Sequence, residues 1–148
     1  MRWILVAGAA QARLLQQADP AAPLELLQQL DHAAARRPAS QLARDRAGWT
    51  QGPSHTGGAS LDAGDDPHRH ERQRFAHELA ALLEQAAAQG RYEQLDLVAP
   101  PAFLGELRQA AGPATRRRLR AQHAADLGHV GWAELGPRLA GLLSPLDA

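Results

Sequence analysis

The chain has 148 residues, the length of one ordinary domain, and its 16 basic and 16 acidic residues cancel. All basic residues are arginine, and the balanced charge excludes a general attraction to nucleic acid or membranes, so any such attraction must be local. The sequence contains no cysteine, which excludes disulfides, thiolate metal sites and thiol catalysis.

The first part of the chain predicts three strands. "RWILVA" is a short apolar run rich in strand-forming residues, and "GAAQ" can turn the chain into the second run, "ARLLQQA". The stretch "ADPAAP" then breaks the pattern. The following "LELLQQLDH" has helical propensity, but we expect a third strand because two strands alone make a marginal sheet.

The N-terminal apolar run also resembles a minimal signal peptide, with Arg2 preceding Trp3 to Ala10. A buried first strand is the better interpretation, because the run is short and Gln11 and Arg13 follow it at once. No run reaches the roughly 18 apolar residues of a membrane span. We therefore expect a cytoplasmic protein that makes no membrane contact.

Residues 38–66 are rich in glycine and proline and predict a long flexible loop, which in a compact domain is usually functional or disordered. Residues 67–90 predict the clearest helix, with Asp66 as its N-cap and Gly90 as its stop. The apolar face of this helix consists of Phe75, Leu79, Leu82, Leu83 and Ala86.

The last third predicts alternating strands and helices. "YEQLDLVAPP" is typical of a buried strand, "AFLGELRQAAG" of a helix, and residues 132–143 of a final amphipathic helix. "RRLRAQHA" alternates as an edge strand would, although its composition also suits a helix. The whole chain, 1–148, therefore predicts a single α/β domain: a mixed five-stranded sheet with three early strands, then helix-strand-helix-strand-helix.

"HERQR", residues 70–74, differs by one residue from the zinc-protease pattern H-E-x-x-H, because Arg74 replaces the second histidine. Its permanent charge would repel a cation, and His70 and His77 are two turns apart. The first strand also has no carboxylate for a metal-dependent nuclease, and no phosphate-binding glycine loop is present. The stretch is best interpreted as a helix start, and we expect neither a metal nor a cofactor.

Asp126 and His129 are three residues apart and could orient one another as an acid–base pair. The alternative is ordinary turn chemistry, in which Asp126 caps a turn before Gly128 and His129 packs beside Trp132. Both interpretations remain open at this point.

The densest charge is "RRRLR". If this segment is a strand, Arg116, Arg118 and Arg120 point to one side at about 6.6 Å spacing, close to the repeat of phosphates along a nucleic-acid strand. A solvated edge strand protected by its charge is the competing explanation.

Five strings carry a family resemblance: "WILVAGAAQARLL", "SQLARDRAG", "DPHRHERQRFAHELAALLE", "LVAPPAFLGELR" and the short "DLGH" at 126–129. With them the chain resembles the bacterial family described as "protein required for attachment to host cells". The most specific features are "LVAPPAFLG" and the spacing of Ser40, Asp45, Arg46 and Gly48. The resemblance makes Asp45 and Arg46 the leading site residues, and with Ser40 they could line a cleft shared with the Asp126/His129 pair.

That family is similar in turn to the central domain of archaeal and eukaryotic peptide chain release factors, a ribonuclease H-like unit that presents a Gly-Gly-Gln loop. Here "TGGASL" places Ala59 after Gly57 and Gly58, and alanine supplies no side-chain donor or acceptor, so peptide release by that mechanism is not expected.

The release-factor likeness implies a non-enzymatic binding module that contacts RNA or the ribosome through the arginine-rich segment and the loop at 50–66. Two alternatives stay open: a small hydrolase that uses Asp126 and His129, and a structural protein that forms a homodimer.

Overall fold

The computed structural model describes residues 1–32 and 67–144, which form a mixed sheet of five strands with helices on both faces. The sheet order is β3-β2-β1-β4-β5. Strands β1, β2 and β3 are antiparallel neighbours, whereas β4 and β5 run parallel to β1. The strands are β1 Arg2–Ala7, β2 Gln11–Gln17, β3 Glu25–Asp31, β4 Gln94–Ala99 and β5 Leu119–Ala124.

The predicted α/β class and mixed five-stranded sheet are confirmed, including the third early strand. β3 forms despite its helical propensity because β2 offers it a full antiparallel partner, from Gln16↔Glu25 to Gln11↔Asp31. A ribonuclease H-like classification of this sheet stays a prediction.

Four helices lie in the described part of the chain: α1 Pro67–Ala88, α2 Pro101–Ala110, α3 Pro113–Arg118 and α4 Trp132–Leu142. The long helix, the helix after the double proline and the last helix are confirmed. Helix α1 ends before Gly90, whose φ of 72° lies in the left-handed region where glycine is favoured. The short helix α3 was not predicted.

The central strand β1 is buried on both faces, because its side chains alternate between two hydrophobic clusters. Trp3 and Leu5 pack with α1 and α2, and Ile4 and Val6 pack with α4. Four of the five residues on the predicted apolar face of α1 are fully buried, and the fifth, Leu82, packs partly buried against the same core.

Helix α3 is held against α1 by one carboxylate. Glu84 accepts hydrogen bonds from the backbone amides of Ala114 (3.1 Å) and Thr115 (3.0 Å) and from the Thr115 hydroxyl (2.9 Å). Gly112 permits this approach, since a Cβ there would lie 2.5 Å from the Glu84 Oε1 atom. Glu84 thus caps the free amides at the start of α3 from a helix 30 residues away.

This cap predicts a pH-dependent loss of stability. The Thr115 amide, which donates to the carboxylate, lowers the pKa of Glu84, so its stabilising effect is present above the unfolded-state pKa and is lost as the pH falls through the folded-state pKa. We expect Glu84→Gln to lower the melting temperature at pH 7, and this difference from the parent protein to shrink as the pH falls below 4.

The matched control is Glu134→Gln on α4, whose exposed carboxylate accepts from Arg138 at 3.2 Å. It should change the melting temperature little at any pH, because exposed ion pairs contribute little to stability. If the melting temperatures of Glu84→Gln and Glu134→Gln change in the same way with pH, Glu84 does not cap α3.

Candidate functional site

The prediction that Arg116, Arg118 and Arg120 line one side of a strand is wrong. Arg116 and Arg118 belong to α3, and the strand begins only at Leu119. Pro113 fixes the first turn of α3 and Glu84 caps its amides, so this segment completes a helical turn before it joins the sheet.

The structure nevertheless brings arginines together around α3. Arg116 donates to the carbonyl oxygens of Ala111 (2.8 Å) and Arg108 (2.6 Å) at the end of α2, and Arg118 donates to the carbonyl of Tyr92 (3.1 Å). These partners are neutral, so they position the guanidinium groups without cancelling their charge.

We call Arg108, Arg116, Arg117 and Arg118 the α3 arginine surface. Arg108, Arg116 and Arg117 are exposed and Arg118 is partly exposed. Glu84 lies close enough to Arg117 for electrostatic interaction, but its oxygens already accept from the cap of α3. The surface is therefore locally basic in a chain with no net charge.

Arg120 lies elsewhere, in a buried polar cluster with Arg2 and Asp96. The register between β4 and β5 shifts at Asp96, and Arg120 donates to Gln94 Oε1 at 3.2 Å. Arg2 Nη1 lies 3.1 Å from Asp96 Oδ2, with the two side chains only 5% and 1% exposed. The sequence analysis missed this pair because the two residues are 94 positions apart.

Burial dominates the electrostatics of this pair. Loss of solvent lowers the pKa of Arg2, although Asp96 opposes the shift. It also raises the pKa of Asp96, although Arg2, Arg120 and His123 oppose that shift. Within the described ranges, Arg2 Nε, Asp96 Oδ1 and His123 Nε2 are buried without a hydrogen-bond partner.

Asp126 and His129 do come together, with 3.6 Å between Asp126 Oδ1 and His129 Nδ1. Their side chains are 66% and 71% exposed among the described residues, however, so solvent screens the interaction between them. A general base needs a separation of about 2.6–3.2 Å from the proton that it takes, in a site that positions the substrate. The geometry therefore gives the hydrolase alternative little support.

The loop between β5 and α4 packs against the end of β1, at the carboxyl edge of the parallel strands where open α/β sheets commonly bind ligands. Gly128 lies against Gly8, just after β1, where a Cβ on Gly128 would be 3.0 Å from the Gly8 nitrogen. Buried Arg13 donates from Nη2 to the Leu127 carbonyl at 3.0 Å, and Gln11 donates to the Gly128 carbonyl. Leu127 and Gly128 thus serve packing at this point.

The "HERQR" stretch is a helix start, as predicted, and it has a further role. Glu71, which is 5% exposed, lies with Oε1 2.8 Å from His32 Nε2 and accepts from Arg74 Nη1 at 3.2 Å. The His32 ring also stacks on Phe75, with 5.0 Å between ring centroids. These contacts fasten the end of β3 to α1. Across the described ranges, no three histidine or carboxylate side chains converge as metal ligands would.

Ser40, Asp45, Arg46, Gly57 and Gly58 lie outside the described residues. Their suggested contribution to a cleft or binding loop stays a prediction. In the part of the chain that the structure describes, no helix combines the length and apolar character needed to cross a bilayer.

The fold and contacts define an α/β protein with a basic surface around α3 and a loop packed against the end of β1. The chain belongs to the family "Protein required for attachment to host cells", whose model matches residues 3–139. This confirms the family resemblance; the similarity to release factors stays a prediction.

Among solved structures, the chain is similar to the activator of the 2-hydroxyisocaproyl-CoA dehydratase from Clostridium difficile with bound ADPNP. The identity is 13% and the TM-score 0.45, and the match covers 100% of this chain and 65% of that one. The chain therefore spans less than two thirds of the length of that structure. No curated protein sequence matches the chain.

Proposed function

We propose that this member of the host-attachment family is a binding protein that contacts RNA phosphates through the α3 arginine surface. The observation that carries the proposal is the anchoring of Arg116 and Arg118 by neutral carbonyl oxygens, which preorganises positive charge. A guanidinium held in place loses less side-chain entropy when it binds a phosphate.

The resemblance to the central domain of release factors supports RNA as the partner, since such a domain works inside the ribosome. Binding also fits the site better than catalysis does. Gly128 packs against the end of β1, and the Asp126/His129 pair stands open to solvent. The arginines therefore bind the RNA, and we propose no catalytic residue.

The test is a titration of the protein with structured RNA at two salt concentrations. Binding releases counterions from the phosphates. Each phosphate contact therefore makes the slope of log K for RNA binding against log salt concentration more negative by about 0.9. We expect the double variant Arg108→Gln/Arg117→Gln to bind more weakly and to reduce that slope by about 1–2.

Arg138→Gln is the matched control, since it removes one exposed arginine on α4, away from the α3 arginine surface. It should bind RNA like the parent protein. The proposal would be refuted if the protein does not bind RNA at low salt. It would also be refuted if Arg138→Gln and the single variant Arg117→Gln lose the same amount of RNA affinity.

A homodimer through the sheet edge is the second candidate. Strand β3 has one strand neighbour within the described sheet and exposes the large apolar side chains Leu26 and Leu27. Light scattering measures the molar mass of the protein in solution. A monomer mass at every protein concentration would exclude the homodimer without affecting the RNA proposal.

A further inference from the structure

The tryptophan, tyrosine and phenylalanine side chains that the structure describes on the α3 side of the sheet are all buried. Tyr92, whose carbonyl anchors Arg118, is 1% exposed, and its hydroxyl donates to the Leu83 carbonyl at 2.9 Å. Its ring stacks on buried Trp3, with 4.7 Å between centroids. Trp132 is the exposed one within the described ranges, and it begins α4 on the opposite face of the sheet. The α3 arginine surface therefore carries charge without an aromatic platform for an unpaired base.

One more guanidinium group lies beside this surface. Arg91 directly precedes Tyr92, its side chain is exposed, and its Cζ atom lies 5.1 Å from the centroid of the Trp3 ring. A cation–π contact positions the guanidinium while leaving its charge uncompensated, as the carbonyl anchors do in α3. The next acidic residue, Glu93, pairs with the amine of Met1 at 2.8 Å. Arg91 therefore extends the positive surface toward the amino end of β4.

The anchored arginines keep accessible donors for a ligand. Nε and Nη2 of Arg116, and Nε and Nη1 of Arg118, donate to backbone carbonyls. Within the described ranges the remaining nitrogens, Nη1 of Arg116 and Nη2 of Arg118, have no acceptor; Arg116 is exposed, and Nη2 of Arg118 reaches solvent. Guanidinium groups tied back to the protein backbone meet phosphates at the surface, whereas reading a base edge requires a side chain that extends into a groove.

We propose that the α3 arginine surface and Arg91 bind double-helical RNA along its sugar–phosphate backbone, independently of base sequence; this inference rests on the RNA contact proposed above. Proteins hold single-stranded RNA largely by stacking its unpaired bases on aromatic side chains, which this surface does not supply. A double helix presents a dense and rigid array of phosphates. Guanidinium groups that are already fixed can contact it without the entropy cost of ordering a flexible strand.

The two forms of RNA can be compared by fluorescence anisotropy at low salt with one labelled strand that contains only adenine and cytosine. Alone, this strand does not pair with itself; annealed to its complement, it forms the duplex. We expect the duplex to bind at least tenfold more tightly, well above the roughly twofold gain from doubling the phosphates. Equal affinities would overturn this inference and leave RNA binding itself intact, whereas no binding of either probe would refute both proposals.

A second duplex of equal length and different sequence tests whether the bases are read. Contacts to phosphates carry no sequence information, so the two duplexes should bind within about threefold of each other. A difference of tenfold or more would show that base edges are recognised and would overturn the backbone contact.

Arg91→Gln tests the extension of the surface. It should weaken duplex binding and make the salt slope less negative by about 0.9, because one phosphate contact is lost. Arg91→Lys keeps the positive charge over Trp3 and should retain most of the affinity, and Arg138→Gln on α4 should bind the duplex like the parent protein. If Arg91→Gln binds the duplex with the parent affinity and salt slope, Arg91 does not contact the RNA and its part in the proposal is refuted.

Discussion

Replacement of Asp96 by valine is expected to lower the free energy of unfolding by about 3–5 kcal/mol, as removal of one partner of a buried ion pair does. The stability is lost because the buried guanidinium of Arg2 keeps its charge when Asp96 is removed. Arg2 is 5% exposed, and without Asp96 its guanidinium would keep only Gln17 and the Ser144 carbonyl as partners. Urea unfolding at pH 7 measures the loss.

The double variant Arg2→Met/Asp96→Val is the informative control. Burial shifts the pKa of each partner toward its neutral form, so the attraction between the charges does not repay their lost hydration. An apolar pair of similar volume should therefore recover most of the loss and bring stability within about 1–2 kcal/mol of the parent protein. A double variant as unstable as the sum of the single variants would contradict this coupling.

The contribution of Asp96 to the free energy of unfolding should fall as the pH rises. Because burial raises the pKa of Asp96, the stability that this group contributes is full below its unfolded-state pKa and is lost as the pH rises through the folded-state pKa. Asp96→Asn should remove that dependence. A difference between Asp96→Asn and the parent protein that does not change with pH would contradict the shift.

Gly128→Val is expected to cost about 2–3 kcal/mol through overpacking. A Cβ at this position would lie 3.0 Å from the Gly8 nitrogen and 3.4 Å from the Ala7 carbonyl carbon. Both contacts are backbone atoms at the end of the central strand, which cannot move without disturbing the sheet. The φ of Gly128 is not in the left-handed region, so the cost is steric and not conformational.

Gly131→Val is the matched control in the same loop, because a Cβ there meets nothing within 4 Å and its φ and ψ of −62° and 154° suit valine. Gly131 is also the N-cap of α4, where valine is disfavoured, so this variant should cost no more than about 1 kcal/mol. Asp126→Asn and His129→Gln alter exposed side chains and should change stability by less than about 0.5 kcal/mol. If Gly131→Val is as costly as Gly128→Val, the close contact with Gly8 is not the cause.

Local patterns were enough to predict most of the elements. The 3.6-residue spacing of apolar residues from Phe75 to Ala86 predicts α1, and the bounded run before the double proline predicts β4. Both signals depend only on neighbours along the chain, which is why they can be read from one sequence. Helix α3 lacks such a signal, since six residues are too few to show a periodicity.

The candidate site was predicted less well, because its geometry depends on distant partners. The arginine segment was recognised, but its conformation is decided by Glu84, which lies about 30 residues earlier and caps α3. Asp126 and His129 were recognised as neighbours, but their exposure became visible only in the fold. No short-range feature of the sequence predicts the Arg2–Asp96 pair.

The sequence by itself determined the family, the α/β class, the main helix and the absence of cysteine chemistry, because these follow from composition, motifs and short-range periodicity. Only the tertiary structure decided which charges are buried together, where the arginines project and that Gly128 packs against the end of β1. The physical reason is that burial, pairing and steric exclusion are properties of atoms brought together from distant parts of the chain, and no local pattern specifies them.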